Sequence, residues 1–380
     1  TPRPVRERES VVKGFTESPL RIPGKRRERE LAIAMSFSFF KPSKPKPSPR
    51  ELARAMKESL LALDAHTVAE VRALEKALED VDKNFVAMRQ MLSGDGEVEP
   101  NQEQILQLAQ EICKEDVLSL FVHKLPMLGW DARKDLVHCW SILLRQMVGS
   151  GYLCVDYVEN HSELLDFLVV CYNNKDVALN CGNMLRECIK HPVLAKYMLE
   201  STSFEFFFKY VELPNFDTAS DALATFKDLL TKHPSEVSQF LRVRYELFFG
   251  LYEKLLTSTN YVTRRQSLKL LSEFLLESPN SQVMKCFILE ARYLKIMMAL
   301  LKDTSKNIQI SAFHIFKVFV ANPNKPPEII AILAKNHEKL QALLHDLPAS
   351  KGGEEEEFEE ERDLVVKEIE RLSHLPNIVS

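Results

Sequence analysis

Thr263-RRQSLKLLSEFLLES-Pro279 is the stretch that decides the fold. Its apolar residues Leu268, Leu271 and Leu275 are spaced by three and four, which puts them on one face of an α-helix. Three other stretches align with it without gaps: Asp176-VALNCGNMLRECIKH-Pro192, Thr218-ASDALATFKDLLTKH-Pro234 and Asn307-IQISAFHIFKVFVAN-Pro323. The apolar positions fall in shared columns. One holds Cys181, Leu223, Leu268 and Ala312; the next, Met184, Phe226, Leu271 and Ile315; the third, Cys188, Leu230, Leu275 and Phe319. A proline can neither continue a helix nor tolerate helical geometry just before itself, so it ends each copy. The closing prolines are spaced by 42, 45 and 44 residues. A period of about 40–47 is that of armadillo and HEAT arrays. The expected fold is all-α, an armadillo/HEAT-like helical-repeat solenoid shaped as a curved, elongated rod.

Outward from these copies, further apolar helical runs fill the repeat at Phe204–Val211, Val237–Leu256 and Val283–Leu301. A weaker copy runs from Asp131 through Trp140 to Val148. Helices are expected at Pro49–Leu63, with Ser48 as cap and Glu51 in the first turn, and at Thr67–Leu92. No convincing alternation of period two occurs. Residues 1–34 are Arg-rich with interspersed Glu and read as a disordered extension upstream of Met35, the first methionine. The Pro/Lys-rich residues 35–48 read as a linker, 49–348 as the repeat domain, 349–361 as an acidic linker, and 362–380 as a C-terminal helix and tail. The acidic run Glu354–Glu361 reads as a solvated helix start rather than a metal or basic-peptide site.

Composition narrows the function. Among 380 residues only 11 are Gly, about half the usual share, which argues against Gly-rich phosphate loops and hairpin-dense folds. Fifty basic and 54 acidic residues leave a net charge of −4, no general reason to bind nucleic acid or an anionic membrane. Seven cysteines, none in CxxC spacing, read as reduced thiols of a cytoplasmic protein. No apolar run approaches the ~18 residues of a membrane span. Nucleophile elbows, P-loops, dinucleotide fingerprints, HExxH and EF-hand loops are all missing, so no catalytic residue, metal site or cofactor is expected. His191 and His233 recur just before the closing prolines, where a ring can meet the last helix carbonyls.

Two features fit a docking surface. Met297-Met298, read as opening a helix layer, is followed downstream by Lys335 and Lys339, one turn apart. This can be an adaptable apolar pocket with a basic edge, or ordinary core and solvated lysines. Tyr261-Val262-Thr263-Arg264-Arg265 puts two cations at a helix start, where the dipole disfavours them. A functional use, or an acidic neighbour from the next layer, would offset the cost.

Ala178-LNCGNMLRECIKH, Phe226-KDLLT, Asn260-YVTRRQSLKLL, Leu294-KIMMALL, Ala312-FHIFKVFVANPNK and Met35-SFSFFKPSKPKPSP closely resemble the calcium-binding protein 39 family, also called the mouse protein 25 scaffold. The resemblance spans about residues 35–375. It implies an armadillo-like scaffold without enzymatic activity that binds sterile-twenty-like (germinal-centre) kinases or the STRAD pseudokinase and stabilises their active conformation. It also implies a C-terminal pocket for a Trp-Glu-Phe-type tail, matched here by Met298, Lys335 and Lys339. Phe216, Tyr261 and Arg265 match the concave surface that packs on the kinase. Ser278 and Ser281 stand where better-known members carry a basic and an aromatic residue. A peptide-binding adaptor without effect on kinase activity is the alternative. A monomer is expected.

Overall fold

In the computed structural model, residues 46–64, 71–96, 99–347 and 355–375 are described. Contacts divide the chain between Pro47 and Ser48. Of the first unit only Lys46 and Pro47 are described, so the expectations for residues 1–45 fall outside the described residues. The second unit carries the helical array.

Two helices open it: α1 (Pro49–Leu61) and α2 (Val71–Ser93). The Ser48 cap forms as its sequence predicts: its hydroxyl accepts from the Glu51 amide, while Glu51 accepts from the Ser48 amide at 2.9 Å. The rest of the chain repeats in threes. The triplets are α3 (Gln102–Lys114), α4 (Val117–Lys124) and α5 (Trp130–Leu143); α6 (Leu153–Asn160), α7 (Glu163–Val170) and α8 (Ala178–Ile189); α9 (Pro192–Glu200), α10 (Phe207–Tyr210) and α11 (Phe216–Thr231). Then follow α12 (Pro234–Val243), α13 (Tyr245–Leu256) and α14 (Tyr261–Leu275); α15 (Ser281–Phe287), α16 (Ala291–Leu300) and α17 (Lys306–Ala321); and α18 (Pro327–Lys335), α19 (His337–His345) and α20 (Glu355–Ser373).

Each third helix packs on the third helix of the next triplet, giving a continuous ladder α2–α5–α8–α11–α14–α17–α20. First helices stack likewise from α3 through α6, α9 and α12 to α15. This is a solenoid: each layer buries its apolar face against its neighbours. The aligned columns are those buried faces. Cys181, Leu268 and Ala312 are fully buried, and so are the columns of Met184 and Cys188.

Several sequence expectations change in detail. The run Val237–Leu256 is two helices, because the chain leaves helical geometry at Arg244. Val283–Leu301 divides in the same way, between Phe287 and Ala291. Phe204–Val211 is a 3-10 turn followed by the single turn α10. The prolines also start helices: Pro192 and Pro234 are the first residues of α9 and α12, where the missing amide costs nothing. A two-residue hairpin, β1 (Met147–Val148) with β2 (Gly151–Tyr152), sits between α5 and α6, too short to show alternation. Its turn uses Gly149 at φ 61°. The His233 ring nitrogen meets the Ile189 carbonyl at 2.6 Å, so it serves the helix end of the preceding repeat. The acidic run is not a linker up to 361. Helix α20 begins at Glu355, because Phe358, Val365, Ile369 and Leu372 form one buried face against α17, α18 and α19. Phe358 lies 4.9 Å from the Phe313 ring, and Glu361 pairs with Lys317.

Candidate functional site

Equivalent caps position two exposed aromatic residues. The Asn215 side chain accepts from the Thr218 amide at 2.9 Å and starts α11; Asn260 accepts from the Val262 amide at 2.9 Å and starts α14. Both helices are anchored just inside the cap by a buried threonine, Thr218 and Thr263. The Thr263 hydroxyl reaches back to the Val211 carbonyl at 3.2 Å. The residue directly after each cap is then left outside the packed layer. Phe216 is 67% exposed and Tyr261 42%.

Between α11 and α14 lies a groove of about 240 Å³, with Phe216, Leu223 and Val262 among its apolar lining and Ser220 and Gln266 among its polar lining. Leu223 is the one member of the first apolar column that stays partly open. Lys227 and Glu273 pair at 2.7 Å across the groove lining. Tyr261 and Arg265 stand beside it, one turn apart on α14. The Tyr261 hydroxyl contacts Ser305 at 3.3 Å. That hydrogen bond, aided by the Arg265 charge, holds the phenol below its ordinary pKa.

The paired arginines resolve into two roles. Arg264 is the structural one: its guanidinium meets Asp303 at 3.0 and 3.1 Å and the Ser258 carbonyl at 2.7 Å, so an acidic neighbour from the next layer offsets the unfavourable helix start. Arg265 is exposed and its side chain lies against the Tyr261 hydroxyl.

Met298 does not open a helix layer. It lies near the end of α16, which starts at Ala291 because the chain turns between Phe287 and Glu290. Its neighbour Met297 is fully buried, while Met298 is half-buried against the core. Helix α16 packs on α18, which ends at Lys335. The chain leaves helical geometry at Asn336, so Lys339 lies on a separate helix, α19, and the two lysines are not successive turns of one helix; both are exposed. Ser278 lies exposed in a 3-10 turn, and Ser281 begins α15.

One residue of the same kind escaped the sequence reading. Trp130, 69% exposed, is the first residue of α5, as Phe216 and Tyr261 are of α11 and α14. The signal was its place just before Asp131, where the weaker repeat copy begins. The Lys134 ammonium sits 5.9 Å from its ring centre.

Exposed aromatic rings and an exposed guanidinium are the side-chain types in which interface energy concentrates. Among the described residues, no group of three or more His, Cys, Asp or Glu could hold a metal ion, and no helix is long and apolar enough to cross a membrane.

Residues 38–373 match the Mo25-like family. A calcium-binding protein 39-like protein of Homo sapiens is 42% identical over 330 residues, 87% of this chain and 96% of its own length. A putative MO25-like protein of Arabidopsis thaliana is 44% identical over 334 residues, again 87% and 96%. A Mo25-like protein of Schizosaccharomyces pombe is 41% identical over 338 residues, 89% of this chain and all of its own. With the repeat ladder and these matches together, the chain belongs to the Mo25-like family of scaffold proteins.

Proposed function

We propose that the chain is a non-catalytic, monomeric cytoplasmic scaffold. It binds a sterile-twenty-like kinase or a STRAD-like pseudokinase and favours the partner's active conformation. Phe216, Tyr261 and Arg265 carry the contact with the folded domain. The region of Met298, Lys335 and Lys339 takes a Trp-Glu-Phe-type tail. The observation that supports this reading best is the pair of capped helix starts that leave Phe216, in the α11–α14 groove, and Tyr261, next to the groove residue Val262, exposed to solvent. Aromatic residues are enriched in the buried centres of protein interfaces.

The test is to mix the purified chain with such a kinase domain carrying its tail and follow both binding and phosphotransfer. Saturable binding with a rise in kinase rate supports the reading. Binding with no change in rate establishes the peptide-adaptor alternative instead.

A further inference from the structure

Two of the seven free thiols meet across a repeat boundary. Cys113, at the end of α3, and Cys154, at the start of α6, lie 41 residues apart in sequence, yet their sulfurs are 3.5 Å apart. The two helices are the first members of consecutive triplets and pack directly on each other. Their junction is held by a second contact, the Tyr157 hydroxyl donating to Asp116 at 2.8 Å. A disulfide needs sulfurs at about 2.05 Å. The two sulfurs are already in contact, about 1.5 Å beyond bonding distance. We propose that Cys113 and Cys154 form an oxidative modification site: peroxide converts the pair to an intramolecular disulfide that staples the first triplet to the second.

The two sulfurs differ in a way that orders the chemistry. Cys113 is half-buried and reachable, whereas Cys154 is fully buried. Cys154 shares its proton with Cys113 and is desolvated, both of which raise its pKa, so it stays a thiol. Cys113 is the sulfur that an oxidant can reach, so it is the one that meets it. Its thiolate attacks one oxygen of hydrogen peroxide, the O–O bond breaks, and Cys113 becomes a sulfenic acid with release of hydroxide. Cys154 then attacks the Cys113 sulfur. The S–S bond forms, the S–O bond breaks, and the departing hydroxide leaves as water with the Cys154 proton. In sum two thiols and one peroxide give one disulfide and two waters, with two electrons passing from sulfur to oxygen.

The remaining cysteines supply internal controls. Cys286 is exposed and stops at the sulfenic or sulfinic stage or links two chains. Cys171 and Cys181 form a second hydrogen-bonded pair: Cys181 is fully buried, and Cys171, 9% exposed, is held below its ordinary pKa by that bond, so the same peptide map compares the two pairs.

The experiment treats the reduced full-length chain with hydrogen peroxide under native conditions, blocks residual thiols, and maps peptides by mass spectrometry with and without dithiothreitol. The expected result is a Cys113–Cys154 linked peptide, two hydrogens lighter than its parts, in protein that runs as a monomer on a non-reducing gel and reverts with dithiothreitol. In Cys154→Ser the link is lost, and Cys113 accumulates as a sulfenic acid trapped by dimedone. Recovery of Cys113 over-oxidised or still alkylatable, with no linked peptide in folded wild-type protein, overturns the proposal. So does a link that pairs Cys113 only with Cys286 of another chain. Because the decisive reading is made on the wild-type chain, it stands even if a serine variant folds poorly.

Discussion

Gly182 on α8 yields its side-chain space to Asp221 on α11: a β-carbon at 182 would lie 1.7 Å from Oδ2 of Asp221 and 2.3 Å from the Tyr172 hydroxyl. That carboxylate is the centre of a largely buried network. It accepts from the Tyr172 hydroxyl at 2.8 Å and from Arg186 Nη2 at 2.7 Å, and Arg186 Nη1 also donates to Thr225 at 2.8 Å. The network ties two rungs of the third-helix ladder together, with Arg186 and Tyr172 on one side and Asp221 and Thr225 on the other.

The consequence for stability runs against helix propensity. Alanine is favoured over glycine by about 1 kcal/mol inside a helix. At 182 the added methyl must push Asp221 off both its partners and leave Arg186 and Tyr172 short of an acceptor. Breaking a buried pair costs about 3–5 kcal/mol. Gly182→Ala is therefore expected to lower unfolding free energy by about 2 kcal/mol or more in urea titrations. A variant as stable as wild type would mean that the network relaxes freely and does not bind α8 to α11.

Acid should loosen the C-terminal helix through one residue. Glu368 is gripped by Arg371 at 2.7 and 2.9 Å and by Lys325 at 2.8 Å, and the Lys325 side chain is only 5% exposed. First Arg371, then Lys325, pull the Glu368 pKa down from 4.5 to about 2. A lowered folded pKa means the unfolded chain takes up the proton first. The contribution is thus complete above pH 4.5 and is lost as pH falls toward 2. At neutral pH, Glu368→Gln should cost about 1 kcal/mol, the size expected for a partly exposed charge pair. It should also flatten the acid limb of melting temperature against pH. An acid limb identical to wild type would assign the acid loss to other carboxylates.

How much of this the sequence discloses depends on how local each feature is. The ladder of third helices was legible, because Met184, Phe226, Leu271 and Ile315 repeat one burial pattern beside a repeated proline. The split into three helices per repeat was not. The break at Arg244 carries no glycine or proline to announce it. Arg264 was readable as a conflict with the helix dipole, but its solution, Asp303, lies 39 residues away. The crowding at Gly182 depends on a carboxylate in the next repeat, so no local pattern reveals it. Of the site, Phe216 came through family resemblance alone, Tyr261 also through the unusual helix start Tyr261–Arg265, and their shared exposure follows the asparagine caps Asn215 and Asn260. Trp130 has a glycine cap instead, which hid its equivalence.

The exposed helix starts should rank as binding anchors. Phe216→Ala and Tyr261→Ala are each expected to weaken binding of a partner kinase domain by more than about 1 kcal/mol, while leaving melting temperature unchanged, since neither ring is packed in a core. Arg265→Ala should weaken binding less at high salt than at low, because an exposed charge is screened. Trp130→Ala distinguishes a long footprint from a short one. Loss of affinity means that the partner reaches α5, and no change confines it to the groove between α11 and α14. Calorimetric titration at two salt concentrations reads all four variants. Wild-type affinity in both Phe216→Ala and Tyr261→Ala would remove the groove from the interface.

The last prediction concerns the tail pocket. Met298 is half-buried on α16, with exposed Lys335 and Lys339 on α18 and α19 of the next triplet. A tail peptide of Trp-Glu-Phe type would set an aromatic ring against the methionine and its carboxylates against the lysines. Anchors buried at the centre of an interface dominate its affinity, and rim charges contribute little. Met298→Ala should therefore weaken peptide binding by more than about 1 kcal/mol at every ionic strength. Lys335→Ala and Lys339→Ala should each cost less, and the cost should vanish in high salt as the charges are screened. Arg265→Ala, on α14 in the triplet before that of Met298, should leave peptide affinity intact while reducing affinity for the whole kinase domain. Titrating a fluorescent peptide against the four variants separates these terms. A Met298→Ala protein that folds normally and binds peptide like wild type would return Met298 to the role of ordinary core, and leave the lysines as solvated surface.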